Sequence, residues 1–241
     1  MPQPSCDAQT GICAAPGVDV ARETSQAATE PRLVYVSDPL CSWCWAVSPM
    51  IAPLKDWCAQ HGLPFTLLMG GLRPGGGDPW NADFKAFLRH HWHEIESRCG
   101  RPFGYALFDR PIFRYDSLPP CRAVVVAKQQ LGAASDGGAR LLAFYEALQR
   151  HFFVEGADTN EADFYRHPCA AADLDFAAFL PEFEAAASTK AAQAEFAQAR
   201  ALGVDAFPSF VLTQGDKHTV IARGYTELSP LTSKIEALLG T

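Results

Sequence analysis

Residues 33–45 read L-V-Y-V-S-D-P-L-C-S-W-C-W, an apolar run that stops at Asp38-Pro39 and delivers two cysteines with two residues between them. Leu33 to Val36 is short and rich in β-branched and aromatic side chains, the pattern of a buried strand. Pro39 ends it, because proline has no N–H to give to a ladder. From Cys44 to His61 apolar residues recur at helical spacing up to Gly62, and Pro49 and Pro53 are expected to kink that helix. Cys41 and Cys44 thus fall at a strand-to-helix turn. The first N–H groups of a helix lack intrahelical partners and its dipole is positive there, so an anion such as a thiolate is favoured. This predicts Cys41, the more N-terminal and exposed sulfur, as a low-pKa nucleophile. Cys44, one turn into the helix, is then the resolving thiol.

Working outward, Leu63 to Met69 reads as a second strand ended by Gly70-Gly71, which makes a βαβ unit with a right-handed crossover. Between Pro74 and Ala187 the pattern is helical. Helices are expected over 81–98, with Phe84, Phe87, Leu88, Trp92 and Ile95 on one face, over 118–131 behind Pro119-Pro120, and over 138–153. Shorter pieces follow near 160–165 and 174–186, and then a helix opening at Ser188-Thr189 and closing at Leu202-Gly203. Strands return at Phe210–Thr213 and Thr219–Arg223 around a turn at Gln214–Lys217, and a last helix begins with Ser229 as N-cap and Pro230 at N1. The expected architecture is α/β, one mixed sheet interrupted by helices: residues 1–30 as a flexible arm, 31–73 with 188–241 as the sheet domain, and 74–187 as an inserted helical subdomain.

A chain of 241 residues with 48% hydrophobic content can bury a substantial core. Its net charge of −7 argues against nucleic acid or an anionic membrane as the main partner. No run of about 18 apolar residues occurs, so no membrane span is expected. The N-terminus has neither a basic start nor an apolar core, which predicts a cytoplasmic protein. In a reducing compartment eight cysteines do not predict a disulfide framework, and a C-x-x-C pair is catalytic or metal-binding. Cys6 and Cys13 on the arm are either incidental thiols or an accessible redox or metal-binding pair. A closed zinc site needs about four ligands, which the spacing does not supply, so no metal is expected. His90, His91 and His93 read as a solvated helix face. Asp38 is an auxiliary candidate near the sulfur, although an acid that closes a strand-end turn is the commoner use. Trp43 and Trp45 suggest an apolar contact surface, with one of them in the core. Cys58, Cys99, Cys121 and Cys169 read as inert buried thiols.

This order of elements, with C-S-W-C after the first strand, Pro49 five positions past Cys44, and Gly203-Val204-x-x-Phe207-Pro208 before the third strand, resembles the thioredoxin fold. More narrowly it is similar to the DsbA-like family, including its FrnE-type members, which carry a helical insertion in the same place. Asp38-Pro39, the stretch from Asp116-Ser117 to Ala127, and F-Y-E-A-L-Q-R-H-F-F-V-E-G-A-D from Phe144 also match, so the likeness runs from about Leu33 to the C-terminus. It implies a thioredoxin-like mixed sheet with a large all-helical insertion and a redox pair at Cys41 and Cys44. It also implies a cis peptide bond before Pro208, and Phe207 offering its backbone to an extended substrate that passes Ser42 and Trp43. The implied activity is thiol-disulfide oxidation, reduction or isomerisation without a cofactor, on a protein or a small thiol such as glutathione. Ser42-Trp43 departs from the Pro-His pair of the periplasmic enzyme, so that enzyme's strongly oxidising character is not implied. Phe207 departs from the small or β-branched residue usual there. Two alternatives stand beside this reading: a glutathione-dependent isomerase or transferase of the kappa-class type, whose members generally carry serine where Cys41 stands, and a zinc-binding or protein-docking module.

Overall fold

A computed structural model of the chain describes residues 6–7, 12–14, 30–132 and 135–240. In chain order these form β1 (Cys6–Asp7), β2 (Ile12–Ala14), β3 (Arg32–Ser37), α1 (Ser42–Gln60), β4 (Phe65–Met69), α2 (Ala82–Cys99), α3 (Leu118–Leu131), α4 (Gly137–Phe153), α5 (Arg166–Ala171), α6 (Phe176–Glu184), α7 (Ala186–Ala201), β5 (Ala206–Phe207), β6 (Ser209–Gln214), β7 (Lys217–Arg223) and α8 (Leu228–Leu239). Two compact units result, one of residues 1–72 with 195–241 and one of residues 73–194.

The first unit holds a four-stranded mixed sheet in the order β4-β3-β6-β7. Strand β3 is parallel to β4 and antiparallel to β6, with Tyr35 opposite Leu67 on one side and Phe210 on the other. Leu33 to Ser37 are all buried, so a strand covered on both faces reads as a continuous apolar run rather than an alternating one. The Tyr35 and Phe210 rings stack at 5.0 Å. Helix α1 makes the crossover and buries Ile51, Leu54 and Cys58; it runs on through Pro49 and Pro53 as one helix. Gly62, at φ +64, turns the chain toward β4. Helix α8 packs against α1 and β7. It starts a residue before the expected cap, with Glu227 at N-cap, so Pro230 sits inside the first turn. Its missing N–H is harmless there, since the first four N–H groups have no intrahelical acceptor.

A second small sheet, in the order β1-β2-β5, belongs to the same unit. Strand β2 runs antiparallel to β5 with Cys13 opposite Phe207, and β1 runs antiparallel to β2 with Cys6 opposite Cys13. The arm expected over residues 1–30 is therefore in strands at Cys6, Asp7 and Ile12–Ala14. The physical reason is the free edge of β5, whose N–H and C=O groups take partners from the other end of the chain. Local periodicity carries no trace of so distant a pairing.

Among the described residues of the second unit the regular elements are all helices. Asn81 caps α2 by accepting from the Phe84 N–H, and the left-handed Gly100 closes it. Trp92, fully buried, lies against Phe103, Phe108, Phe152 and Phe153 at centroid distances of 4.8 to 6.1 Å. Helix α3 packs on α4 and α6, and α4 on α5. Helix α7 begins at Ala186, two residues before the expected Ser188, whose hydroxyl instead bonds the Phe183 and Ala185 carbonyls. Arg122 Nε also donates to that hydroxyl, which holds the first half of α7 in the helical unit. The Glu195 carboxylate accepts from the Met69 N–H and holds the second half in the sheet unit. Among the described residues no helix is long and apolar enough to cross a membrane.

Burial pushes the Cys58 thiol up to about 12, and that of Cys169 in the helical unit likewise. An unfolded chain releases these protons near pH ~8.5, so above that pH the unfolded state binds fewer protons and stability falls as pH rises. Thermal unfolding followed from about pH 8 to about pH 11 should show a declining midpoint, and the decline should be shallower in Cys58→Ala/Cys169→Ala.

Candidate active site

The site forms where β3 ends and α1 begins. Asp38, fully buried, accepts from the Leu40 N–H at 2.9 Å and from the Leu72 N–H at 2.6 Å, so its carboxylate ties the end of β3 to the segment that follows β4. The Asp38 carbonyl accepts from the Cys41 N–H at 3.1 Å. Cys41 is thereby held at the N-cap of α1 in extended conformation, at φ −81 and ψ 113, with its carbonyl receiving the Trp45 N–H. Cys44 follows within the first turn, and both are free thiols.

Facing them is the turn between β5 and β6. The Phe207–Pro208 peptide bond is cis, and the Cys41 Sγ–H donates to the Phe207 carbonyl at 3.7 Å. Phe207 is large for this position, and the chain makes room with Gly70. A Cβ there would fall 1.9 Å from the Phe207 ring. Gly70, which the sequence marks only as a strand terminator, is thus the partner of the bulky residue before the cis proline. The Ser209 hydroxyl donates to the Ala206 carbonyl at 2.7 Å, and the Gly224 N–H to the Pro208 carbonyl at 2.7 Å, which fix the turn from behind.

Cys41 is fully buried, not the exposed sulfur expected of it. Its thiol is pushed well above the ordinary cysteine value, first by loss of water, then by the hydrogen bond and charge of Cys44 and by the Asp38 carboxylate. The helix N-terminus does favour a thiolate, but desolvation in this closed arrangement outweighs it. Ser42, Trp43, Phe207 and Pro208 are buried as well, so none of the expected substrate contacts is open to solvent. Trp43 leans on Tyr225 at 6.0 Å, and Trp45 is equally enclosed, so both tryptophans serve the core and the contact surface expected of them is absent in this state.

Tyr35 gains an importance that the sequence did not single out. Tyr35, on β3, is fully buried and accepts from the Ser37 hydroxyl at 2.9 Å. Burial, followed by the charge of Cys44, pushes its phenol well above the usual tyrosine range, and it also hydrogen-bonds to Cys44. A phenol that stays protonated beside two sulfurs is a fixed donor. Period two along β3 puts Leu33, Tyr35 and Ser37 on one face, which was the available signal.

The remaining candidates fall elsewhere. His90 and His91 pair with Glu94, and His93 with Glu96 and the Tyr105 hydroxyl. Among the described residues no three His, Cys, Asp or Glu side chains stand together as a metal site. Cys58, Cys121 and Cys169 are buried, whereas Cys99 at the end of α2 is partly exposed, because the helix closes there.

No protein-family profile matches the chain. Among solved structures, a putative protein disulfide isomerase from Nitrosomonas europaea is 25% identical with a TM-score of 0.74, over 88% of this chain and 98% of that one. The cytosolic disulfide reductase DsbM from Pseudomonas aeruginosa, solved with GSH, is 29% identical with a TM-score of 0.64, over 87% and 100%. Among curated proteins, the ClpXP adapter protein SpxH of Halalkalibacterium halodurans is 24% identical over 99% of this chain and 77% of its own length. SpxH of Shouchella clausii is 24% identical over 86% of this chain and 65% of its own length. A mixed sheet with paired thiols at a helix start, a cis proline turn facing them and a large helical insertion make the thioredoxin-like fold that the chain shares with these disulfide isomerase and disulfide reductase structures. Within that fold the chain is similar to DsbA-like structures.

Two outcomes follow from this geometry. Gly70→Ala should destabilise the chain by about 1–3 kcal/mol through overpacking, and in a Phe207→Ala background that penalty should vanish in a urea-denaturation double-mutant cycle. Alkylation of Cys41 by iodoacetamide, mapped by mass spectrometry, should be slow at neutral pH and still rising well above the pH where a free cysteine has levelled off.

Proposed function

We propose that the chain is a disulfide oxidoreductase in which Cys41 is the nucleophile and Cys44 the resolving thiol. The observation that carries this is the Cys41 sulfur lying 3.7 Å from the Phe207 carbonyl at the cis Pro208 turn, with a second free thiol in the same helical turn. An extended substrate that pairs with the Phe207 backbone brings its disulfide to that sulfur. The Cys41 thiolate attacks one substrate sulfur and expels the other, leaving a mixed disulfide. Cys44 then attacks Cys41, which releases the substrate thiol and leaves an oxidised Cys41–Cys44 pair. Reversal of the same steps oxidises a dithiol. Burial raises the Cys41 thiol well above the ordinary cysteine range, so attack requires that the sulfur be reached by substrate and lose its proton. Tyr35, protonated and bonded to Cys44, serves as a positioning residue that steadies the resolving sulfur.

The substrate class we favour is a thiol or disulfide in the cytoplasm, either a protein or a small thiol such as glutathione. The DsbM likeness, with GSH in that protein's structure, supports the small-thiol branch. The kappa-type isomerase reading is weaker: a 2-hydroxychromene-2-carboxylate isomerase shares the fold at 15% identity, but here a cysteine stands at position 41 and a second one follows. A protein-docking reading has one observation in its favour, the SpxH likeness across 99% of the chain.

Replacing Cys41 by Ser should abolish reduction of insulin and of glutathione disulfide while leaving the circular dichroism spectrum unchanged. Cys44→Ser should accumulate a mixed disulfide with substrate. Near wild-type turnover in Cys41→Ser would overturn the redox reading, and partner capture that survives that substitution would favour docking. Tyr35→Phe should shift the pH profile of the resolving step and leave formation of the mixed disulfide nearly unaltered.

A further inference from the structure

The rung of the small sheet that contains Phe207 also contains two cysteines. Cys6 stands opposite Cys13, and Cys13 opposite Phe207, across three antiparallel strands. Neighbouring strands lie about 4.8 Å apart, so the Cys13 backbone is one strand spacing from the residue whose carbonyl touches Cys41 Sγ. Directly opposed residues of an antiparallel pair have Cα atoms roughly 4.5–5.5 Å apart. A disulfide spans about 4.4–6.8 Å between Cα atoms. Cys6 and Cys13 therefore occupy a register that a disulfide can bridge, and they do so beside the redox pair.

Strand β5 is only Ala206–Phe207, and Pro208 after it has no N–H to offer. The edge at which an extended substrate can add is accordingly short, and β2 is already paired along it. Its central residue is a cysteine. The chain thus presents its own N-terminal hairpin at the position where a substrate strand is needed.

We propose that Cys6 and Cys13 are a second redox pair, docked on β5 as a substrate held in cis, that exchanges its disulfide with Cys41 and Cys44. This rests on the reading of Cys41 and Cys44 as an exchanging pair. When Cys6–Cys13 is oxidised and the other pair reduced, the Cys41 thiolate attacks the Cys13 sulfur. A Cys41–Cys13 bond forms, the Cys13–Cys6 bond breaks, and Cys6 leaves as a thiolate that takes up a proton. The Cys44 thiolate then attacks the Cys41 sulfur, forming Cys41–Cys44 and releasing Cys13, which is protonated in turn. Two electrons and two protons pass from one dithiol to the other, and no outside reagent enters. The difference in potential between the pairs sets the direction.

The test uses the full chain. In Cys6→Ser/Cys44→Ser neither the leaving nor the resolving thiol remains, so mild oxidation with diamide should trap a Cys13–Cys41 disulfide, read by non-reducing peptide mapping. The link should be intramolecular, independent of protein concentration, and roughly a thousandfold in excess over Cys41–Cys41 dimers at micromolar protein, as a tethered partner at millimolar effective concentration requires. In parallel, Cys6→Ser/Cys13→Ser/Cys44→Ser is treated with glutathione disulfide to ask whether Cys41 exchanges at all. A Cys41–glutathione adduct in the second variant without the Cys13–Cys41 link in the first overturns the proposal and leaves the redox reading standing. Absence of both removes the redox reading, and this proposal with it.

Discussion

The meeting of the Cys41 thiol with the Phe207 carbonyl joins residues 166 positions apart, and it exists only because β3 is paired on both edges. On one side β3 carries a parallel partner reached through α1, which fixes where the helix starts and hence where the cysteines stand. On the other it carries β6, whose antiparallel register fixes the turn before it. A slip of one residue in either pairing would move the sulfur away from the carbonyl and turn every side chain of the slipped strand to the opposite face. The stack of Tyr35 on Phe210 across β3 and β6, at 5.0 Å, is one contact that such a slip would break.

Inside this frame two effects compete for the proton on Cys41. The N-terminal end of α1 favours the thiolate, while burial, the Cys44 sulfur and the Asp38 carboxylate favour the thiol. Burial prevails because removal from water acts on the whole charge, whereas a helix terminus contributes about half a charge. Burial thus sets the Cys41 thiol well above the ordinary cysteine range despite its place at a helix start.

Much of the fold was legible. The run from Leu33 to Val36, Pro119-Pro120 at the start of α3 and the glycines after α1 and α7 marked elements whose causes are local, and the C-x-x-C spacing marked Cys41 and Cys44 as a pair. What was not legible was what depends on distant partners. Cys6 and Cys13 sit in a stretch rich in proline, glycine and alanine, and nothing near them reveals a strand that pairs with residues 206–207. Tyr35 looked like one more apolar residue in a buried strand, because its proximity to Cys44 is created by the crossover. Exposure of Cys41 was inferred from its place at the helix start, but access is decided by everything packed above it. The caps of α7 and α8 were missed for a related reason: Ser188 finds better partners in Arg122 and two carbonyls than at a helix end.

The bond between the Met69 N–H and the Glu195 carboxylate has a meaning beyond the local one. It holds the place where the chain departs from the sheet unit beside the place where it comes back, since the division falls after Leu72 and before Glu195. Two anchored ends so near each other make a socket: loop closure grows only with the logarithm of the length enclosed, so the sheet tolerates almost any excursion between them. A whole helical unit could thus have been lodged there, and could be exchanged for another, without disturbing a single strand.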